Sequence, residues 1–166
     1  MMPTLILAVR ALHVLSAIAL VGGIFARQLV RAEAARSPDV HTFDSLVRAA
    51  RRIENLLVIP GSLAAAAFGV ILGLMTGAPI LGALQGAERN WLLAANLLLV
   101  TLILLPPLVF VPQRRRIEAA LKAAQAEGRM TAQLRSVASE RSGRLWHLYE
   151  EIAVVAIVLL MALRPF

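Results

Sequence analysis

Residues Leu5–Ala26 read LILAVRALHVLSAIALVGGIFA, an apolar run broken only by Arg10, His13 and Ser16. About 20 helical residues cross a hydrocarbon core of roughly 30 Å, so the run is long enough to span a bilayer. It shows no two-residue alternation of the kind a membrane barrel needs, and backbone groups cannot go unpaired in lipid. The run is therefore a helix. It is too long for the apolar core of a signal peptide and has no small-residue cleavage site before polar sequence, so it reads as a retained span.

The rest of the chain repeats the pattern. Of 166 residues, 59% are hydrophobic and only 16% are charged, against roughly 45–50% apolar in a soluble domain. Mean hydropathy is +0.75. Four spans are expected, at 5–26, 56–75, 91–111 and 148–163, in a single membrane domain covering 1–166. The fold class is an all-α polytopic membrane protein, a four-transmembrane-helix bundle. The absence of cysteine excludes disulfides, thiolate metal sites and iron–sulfur clusters.

Charge orients the bundle. Of 17 basic residues, 14 fall in the loops 27–54 and 113–147, while the loop between spans two and three offers only Arg89. The positive-inside rule puts both basic loops in the cytoplasm and both termini on the non-cytoplasmic side of a cytoplasmic (inner) membrane. The net charge of +7 is accounted for in this way, and no basic-and-aromatic platform for nucleic acid accompanies it. The lipid bilayer is the expected partner. A homo-oligomer or a larger membrane complex is compatible with the sequence.

Within the basic loops, Ser37-Pro38-Asp39 breaks the chain, and 41–54 resumes a helix that runs on into span two, where Pro60-Gly61 predicts a kink. A helix continuing span three is expected from Arg116 to Ala126, ended by Glu127-Gly128. Trp91, Trp146 and Tyr149 are placed to anchor the interfaces.

Two polar groupings need explaining. Arg10 and His13 share a helix face, with His13 roughly 13 Å in from the outer end at 1.5 Å per residue. Asn96 of span three lies at a comparable depth, so the three are expected to meet in the outer half of the bundle. An ionisable group within a span is a functional-site hypothesis by default. His13 either bridges two helices or ligates a metal, as neutral imidazole does in haem sites. A second set lies at the cytoplasmic ends: Arg27, Arg31, Glu54, His147, Glu150 and Glu151. It reads either as ion-pair glue between helix ends or as a site where arginines meet an anion: a headgroup, a haem propionate or a proton site.

The methionines lean to the outer side, and His with Met is a Cu(I) donor set, which admits copper handling. No Met-rich or His-rich tract supports it. There is no GxSxG, HExxH or P-loop pattern, and no pair of carboxylates deep in the membrane.

Leu12-His13, Gly23 and Phe25 with arginines at the inner end of span one resemble the first helix of the HemJ-type protoporphyrinogen oxidases. Related four-helix "predicted integral membrane" families and part of the CopD copper-resistance proteins have similar layouts. Arg52-Ile53-Glu54 before Pro60-Gly61, Trp91 opening span three, and Glu150 or Glu151 leading a span that ends Leu163-Arg164-Pro165-Phe166 extend the likeness to all four spans. The HemJ type has a lysine where this chain has Asn96, and an aromatic residue where it has Leu20-Val21-Gly22. These departures favour the "predicted integral membrane protein" sister family.

The resemblance implies a membrane bundle with haem b or a porphyrin at His13, in a redox role, as a membrane oxidoreductase. Arg10 and Asn96 are the candidate neighbours and Glu54 a supporting residue. The alternative is a non-catalytic anchor or assembly subunit, and copper handling is the third expectation.

Overall fold

The computed structural model describes residues 2–86 and 90–164. Among these there is no strand, and four helices are long and apolar enough to cross a membrane. The expected spans all lie inside them. Helix α1 is Met2–Arg36, α2 Val40–Ile53, α3 Ile59–Thr76, α4 Trp91–Leu105, α5 Val111–Glu127, α6 Ala132–Ala138 and α7 Arg141–Leu163.

Helix α1 stops where Ser37-Pro38 makes continuation costly, since proline pushes its predecessor out of the helical region. Asp39 then caps α2, its side chain accepting from the Thr42 N–H at 2.8 Å. That backbone hydrogen bond holds the Asp39 carboxyl below its ordinary value. At the other break, Gly128 adopts φ 66° and closes α5 with a left-handed cap.

Helices α2 and α3 are one continuous rod with a widened turn between them. Pro60 has no N–H to give to the carbonyl four residues back. The ladder slips to π spacing over Glu54–Val58, and the Ile59 N–H reaches the Glu54 carbonyl. A second π turn at Pro106–Phe110 joins α4 to α5, with Pro112 at the same offset behind it. The expected kink at Pro60-Gly61 is thus a change of helical register just before the proline.

Gly61 serves a different purpose. A Cβ there would lie 2.9 Å from the Leu20 backbone nitrogen, and one on Gly23 would lie 2.9 Å from Leu57 Cβ. Gly61, Ala65 and Gly69 repeat every four residues, a small-residue face that lets α1 and α3 approach closely, while Gly73, next in the series, makes room for Ile80. The other pair is α4 with α7, tied by Thr101 Oγ1 and Tyr149 OH at 2.6 Å. At its far end the Arg164 guanidinium lies 5.5 Å from the Trp91 ring centre. Leu20, Ile24, Val58 and Val154 form the buried contact between the pairs.

The outward faces are apolar and exposed, with Leu15, Ile18, Leu63 and Leu97 among them. That suits lipid. The basic end has its own small core, where Val40 and Phe43 of α2 pack with Ala34, Leu121, Ala124 and Leu134. The basic loops are therefore a folded helical cap on the bundle.

Candidate functional site

The cap encloses a buried charge network. Arg27 is 1% exposed. Its guanidinium pairs with Glu150 and lies 3.6 Å from Glu54 Oε1. One turn further along α1, Arg31 is 3.4 Å from Glu54 Oε2 and 2.8 Å from His147 Nε2. Gln28 reaches Glu150 at 3.5 Å. Phe110 stacks on the His147 ring with centroids 4.6 Å apart, and the Arg27 guanidinium lies 5.8 Å from the Phe110 centroid.

Local structure explains these positions. Arg27 and Arg31 are four apart on α1, and His147 and Glu150 three apart on α7, so each pair shares a face. Glu54 and Phe110 belong to the two π turns, which bring both proline-marked segments to this end of the bundle. Arginine only donates, so His147 Nε2 accepts and the ring carries its proton on Nδ1. That nitrogen faces Glu150 Oε2 at 3.7 Å. Two guanidiniums against two carboxylates leave the network formally balanced, the condition under which charges can be buried. Among the described residues Arg27 Nε is a buried polar atom with no partner.

Above the network lies a cavity of about 420 Å³ bounded by α1, α2, α5 and α7. Its lining is partly apolar (Phe43, Ala50, Phe110, Ile117) and partly charged. At its rim Arg51 pairs with Glu118, and Arg114 Nε donates to the same carboxylate oxygen at 3.1 Å. Among the described residues, the Arg144 side chain on the cavity wall has no ion pair, and neither does that of Glu151.

The sequence model of a family described as "Predicted integral membrane protein (DUF2269)" matches residues 7–165. The chain belongs to this family. No curated protein and no solved structure matches it. As an integral membrane protein it sits in a lipid bilayer.

In this DUF2269 protein Arg10, His13 and Asn96 are not brought together. His13 Nδ1 lies 2.9 Å from the Ala65 carbonyl on α3, and a Cβ on Gly69 would come within 3.0 Å of the ring. Asn96 Nδ2 donates to the Ile80 carbonyl at 2.7 Å, tying α4 to the turn that precedes it. Arg10 is exposed and makes no ion pair among the described residues. The three do not meet, because equal depth does not place residues on facing sides of their helices. The six inner residues are all at the basic end, five of them in the network and Glu151 at the cavity wall.

The cavity residues Phe110, Arg51, Arg114, Glu118 and Arg144 are additions from the structure. Of the signals for them, the prolines flanking Phe110 (Pro106, Pro107 and Pro112) and the four-residue spacing of Arg114 and Glu118 are visible in the sequence. Among the described residues no group of three His, Asp or Glu side chains is arranged to hold a metal. With His13 Nδ1 donating to the Ala65 carbonyl, the Nε2 lone pair has no hydrogen-bond partner among the described residues.

Proposed function

We propose that this protein binds an anionic amphiphile of the membrane at its basic end, with the guanidinium-rimmed cavity receiving the charged group. The carrying observation is the cavity of about 420 Å³ set directly over a buried, charge-balanced network. Ion pairs that only glue helix ends need neither an adjoining cavity nor an arginine without an acid. Rim arginines suit the oxygens of a phosphate or carboxylate, which they bind in charge-assisted pairs. In the same reading the basic cap faces the cytoplasm of an inner membrane, against the leaflet rich in anionic lipid.

Thermal unfolding in a neutral detergent tests it. Short-chain phosphatidylglycerol should raise the midpoint and phosphatidylcholine should not, since a ligand at 100 times its Kd stabilises by about 2.7 kcal/mol. The double variant Arg51→Ala/Arg144→Ala should abolish the difference. Equal response to both lipids would sink the proposal.

A second reading keeps haem b or a porphyrin at His13, in the redox role that the HemJ-type resemblance implies. The hydrogen bond from Nδ1 to the Ala65 carbonyl favours it, because metal-ligating histidines fix their ring in this way. Haem would supply one-electron chemistry, and the chain would orient its iron through His13 Nε2 alone. A Soret band in protein purified from haem-replete cells, lost in His13→Ala, is the expected result. Its absence from wild type removes this reading.

A further inference from the structure

We infer that the occupant is an anionic phospholipid, with its phosphate among Arg51, Arg114 and Arg144 and one acyl chain lying in a groove between α1 and α7. This rests on the amphiphile reading above and names its ligand class. The groove has a volume of about 310 Å³ and is lined by Phe25, Leu148, Glu151, Ile152, Val155, Ala156 and Leu159. Leu148 and Glu151 also line the charged cavity, so the two spaces adjoin there. One end is rimmed by guanidiniums and the other is a trough of aliphatic carbon.

The dimensions fit one lipid. From Arg144 to Leu148 α7 rises roughly 6 Å at 1.5 Å per residue, close to the headgroup layer on one side of a bilayer. From Leu148 to Leu159 it rises roughly 16 Å, about one leaflet of a 30 Å core. Leu148, Ile152, Val155 and Leu159 follow helical spacing, so they form one stripe down which an extended chain can lie.

The charges select the head. Around the rim Arg51 and Arg114 share the single carboxylate of Glu118, and Arg116, outside the lining, lies 3.9 Å from the rim residue Glu140. With Arg144, and with Glu151 at the junction, that makes four guanidiniums against three carboxylates, an excess of one positive charge. A zwitterionic head would bring an ammonium into this positive rim, whereas a phosphodiester with an uncharged alcohol brings only the anion. Glu151 at the junction repels phosphate, so it keeps the head outward at the level of the arginines and leaves carbon to the groove.

The test uses the full chain in phosphatidylcholine nanodiscs doped with phosphatidylglycerol carrying a photoreactive diazirine in mid-chain. Labelling should concentrate on Phe25 and on residues 152–159. Unlabelled phosphatidylglycerol should compete and phosphatidylcholine should not. Val155 is 41% exposed, so Val155→Trp fills the groove from its open side. It should weaken competition by about tenfold, whereas Leu74→Trp, at an exposed site on α3, should leave it unchanged. Circular dichroism and a monodisperse elution profile establish that each variant is folded.

Labelling spread evenly over lipid-facing sites such as Leu63 and Leu97 overturns the inference. So does a Val155→Trp variant that labels and competes as wild type does. If either occurs while phosphatidylglycerol still raises the unfolding midpoint through Arg51 and Arg144, the groove fails and the cavity stands. If the midpoint shift is missing too, both fail.

Discussion

Arg27 and Glu150 lie 123 residues apart in the chain and form a buried ion pair at the point where α1 meets α7. The pair joins the two halves of the bundle, α1–α3 and α4–α7, at one end.

Breaking it from one side should be costly. Glu150→Ala leaves a guanidinium buried with Glu54 alone, and loss of one partner of a buried pair costs about 3–5 kcal/mol. The double variant Arg27→Met/Glu150→Leu should recover most of that in a denaturant titration, because both charges are gone. It should not recover the midpoint shift on adding phosphatidylglycerol, since the network under the cavity is lost. Recovery of both would reduce the pair to packing.

The α1–α3 contact makes a graded prediction. Gly61→Ala forces a Cβ against the Leu20 backbone, which cannot rotate away, and should destabilise most. Gly69→Ala presses on the His13 ring at 3.0 Å, and a side chain can yield, so its effect should be smaller. Gly22 has nothing within 4 Å, and Gly22→Ala should be neutral or stabilising by up to about 1 kcal/mol from helix propensity. Unfolding midpoints for the three variants check the order. A Gly61→Ala midpoint equal to wild type would contradict the close approach.

Much of this architecture is legible in the sequence. Apolar runs bounded by arginine-rich segments mark four helices, and Ser37-Pro38-Asp39 and Gly128 mark two real breaks. The inner cluster is legible because topology alone puts the ends of α1 and the starts of the second and fourth spans at one level. The outer trio shows where that logic stops. Depth along a helix comes from counting residues, but the direction a side chain faces depends on which neighbour packs there. His13 therefore goes to Ala65 and Asn96 to Ile80. Proline announces a defect without saying whether the helix bends or widens, and so the π turns are not readable from Pro60 or Pro112. The cavity is built by Arg51, Arg114, Glu118 and Arg144 from three separate helices, and local spacing links only Arg114 with Glu118, four apart on α5.

Acid should loosen the cap of α2. The Asp39 carboxyl is held below its ordinary value of 3.8 by the Thr42 N–H. Its depressed folded-state value means that the stabilisation is fully present above the unfolded pKa and is lost as pH falls through the folded one. Amide exchange at Thr42 and Phe43, corrected for intrinsic rates, should rise below about pH 3.8. Asp39→Asn should retain capping while flattening that acid limb. An unchanged limb in the asparagine variant would assign the acid sensitivity to another group.

The π turn at Glu54–Val58 sets the direction of Glu54, and Pro60 holds the turn open. Pro60→Ala restores an N–H at position 60, so the segment can close into regular α spacing. Losing the extra residue of a π turn rotates everything N-terminal to it by about 100° relative to α3, the angle per residue at 3.6 residues per turn. Glu54 would then swing away from Arg27 and Arg31. The variant should be as stable as wild type in its α3 segment, because a missing backbone hydrogen bond is regained. It should nonetheless lose the midpoint response to phosphatidylglycerol, since Arg31 is no longer anchored under the cavity. Wild-type response in Pro60→Ala, with a double-mutant cycle still reporting Glu54–Arg31 coupling, would mean that packing of α2 against α5 and not the proline keeps the turn widened.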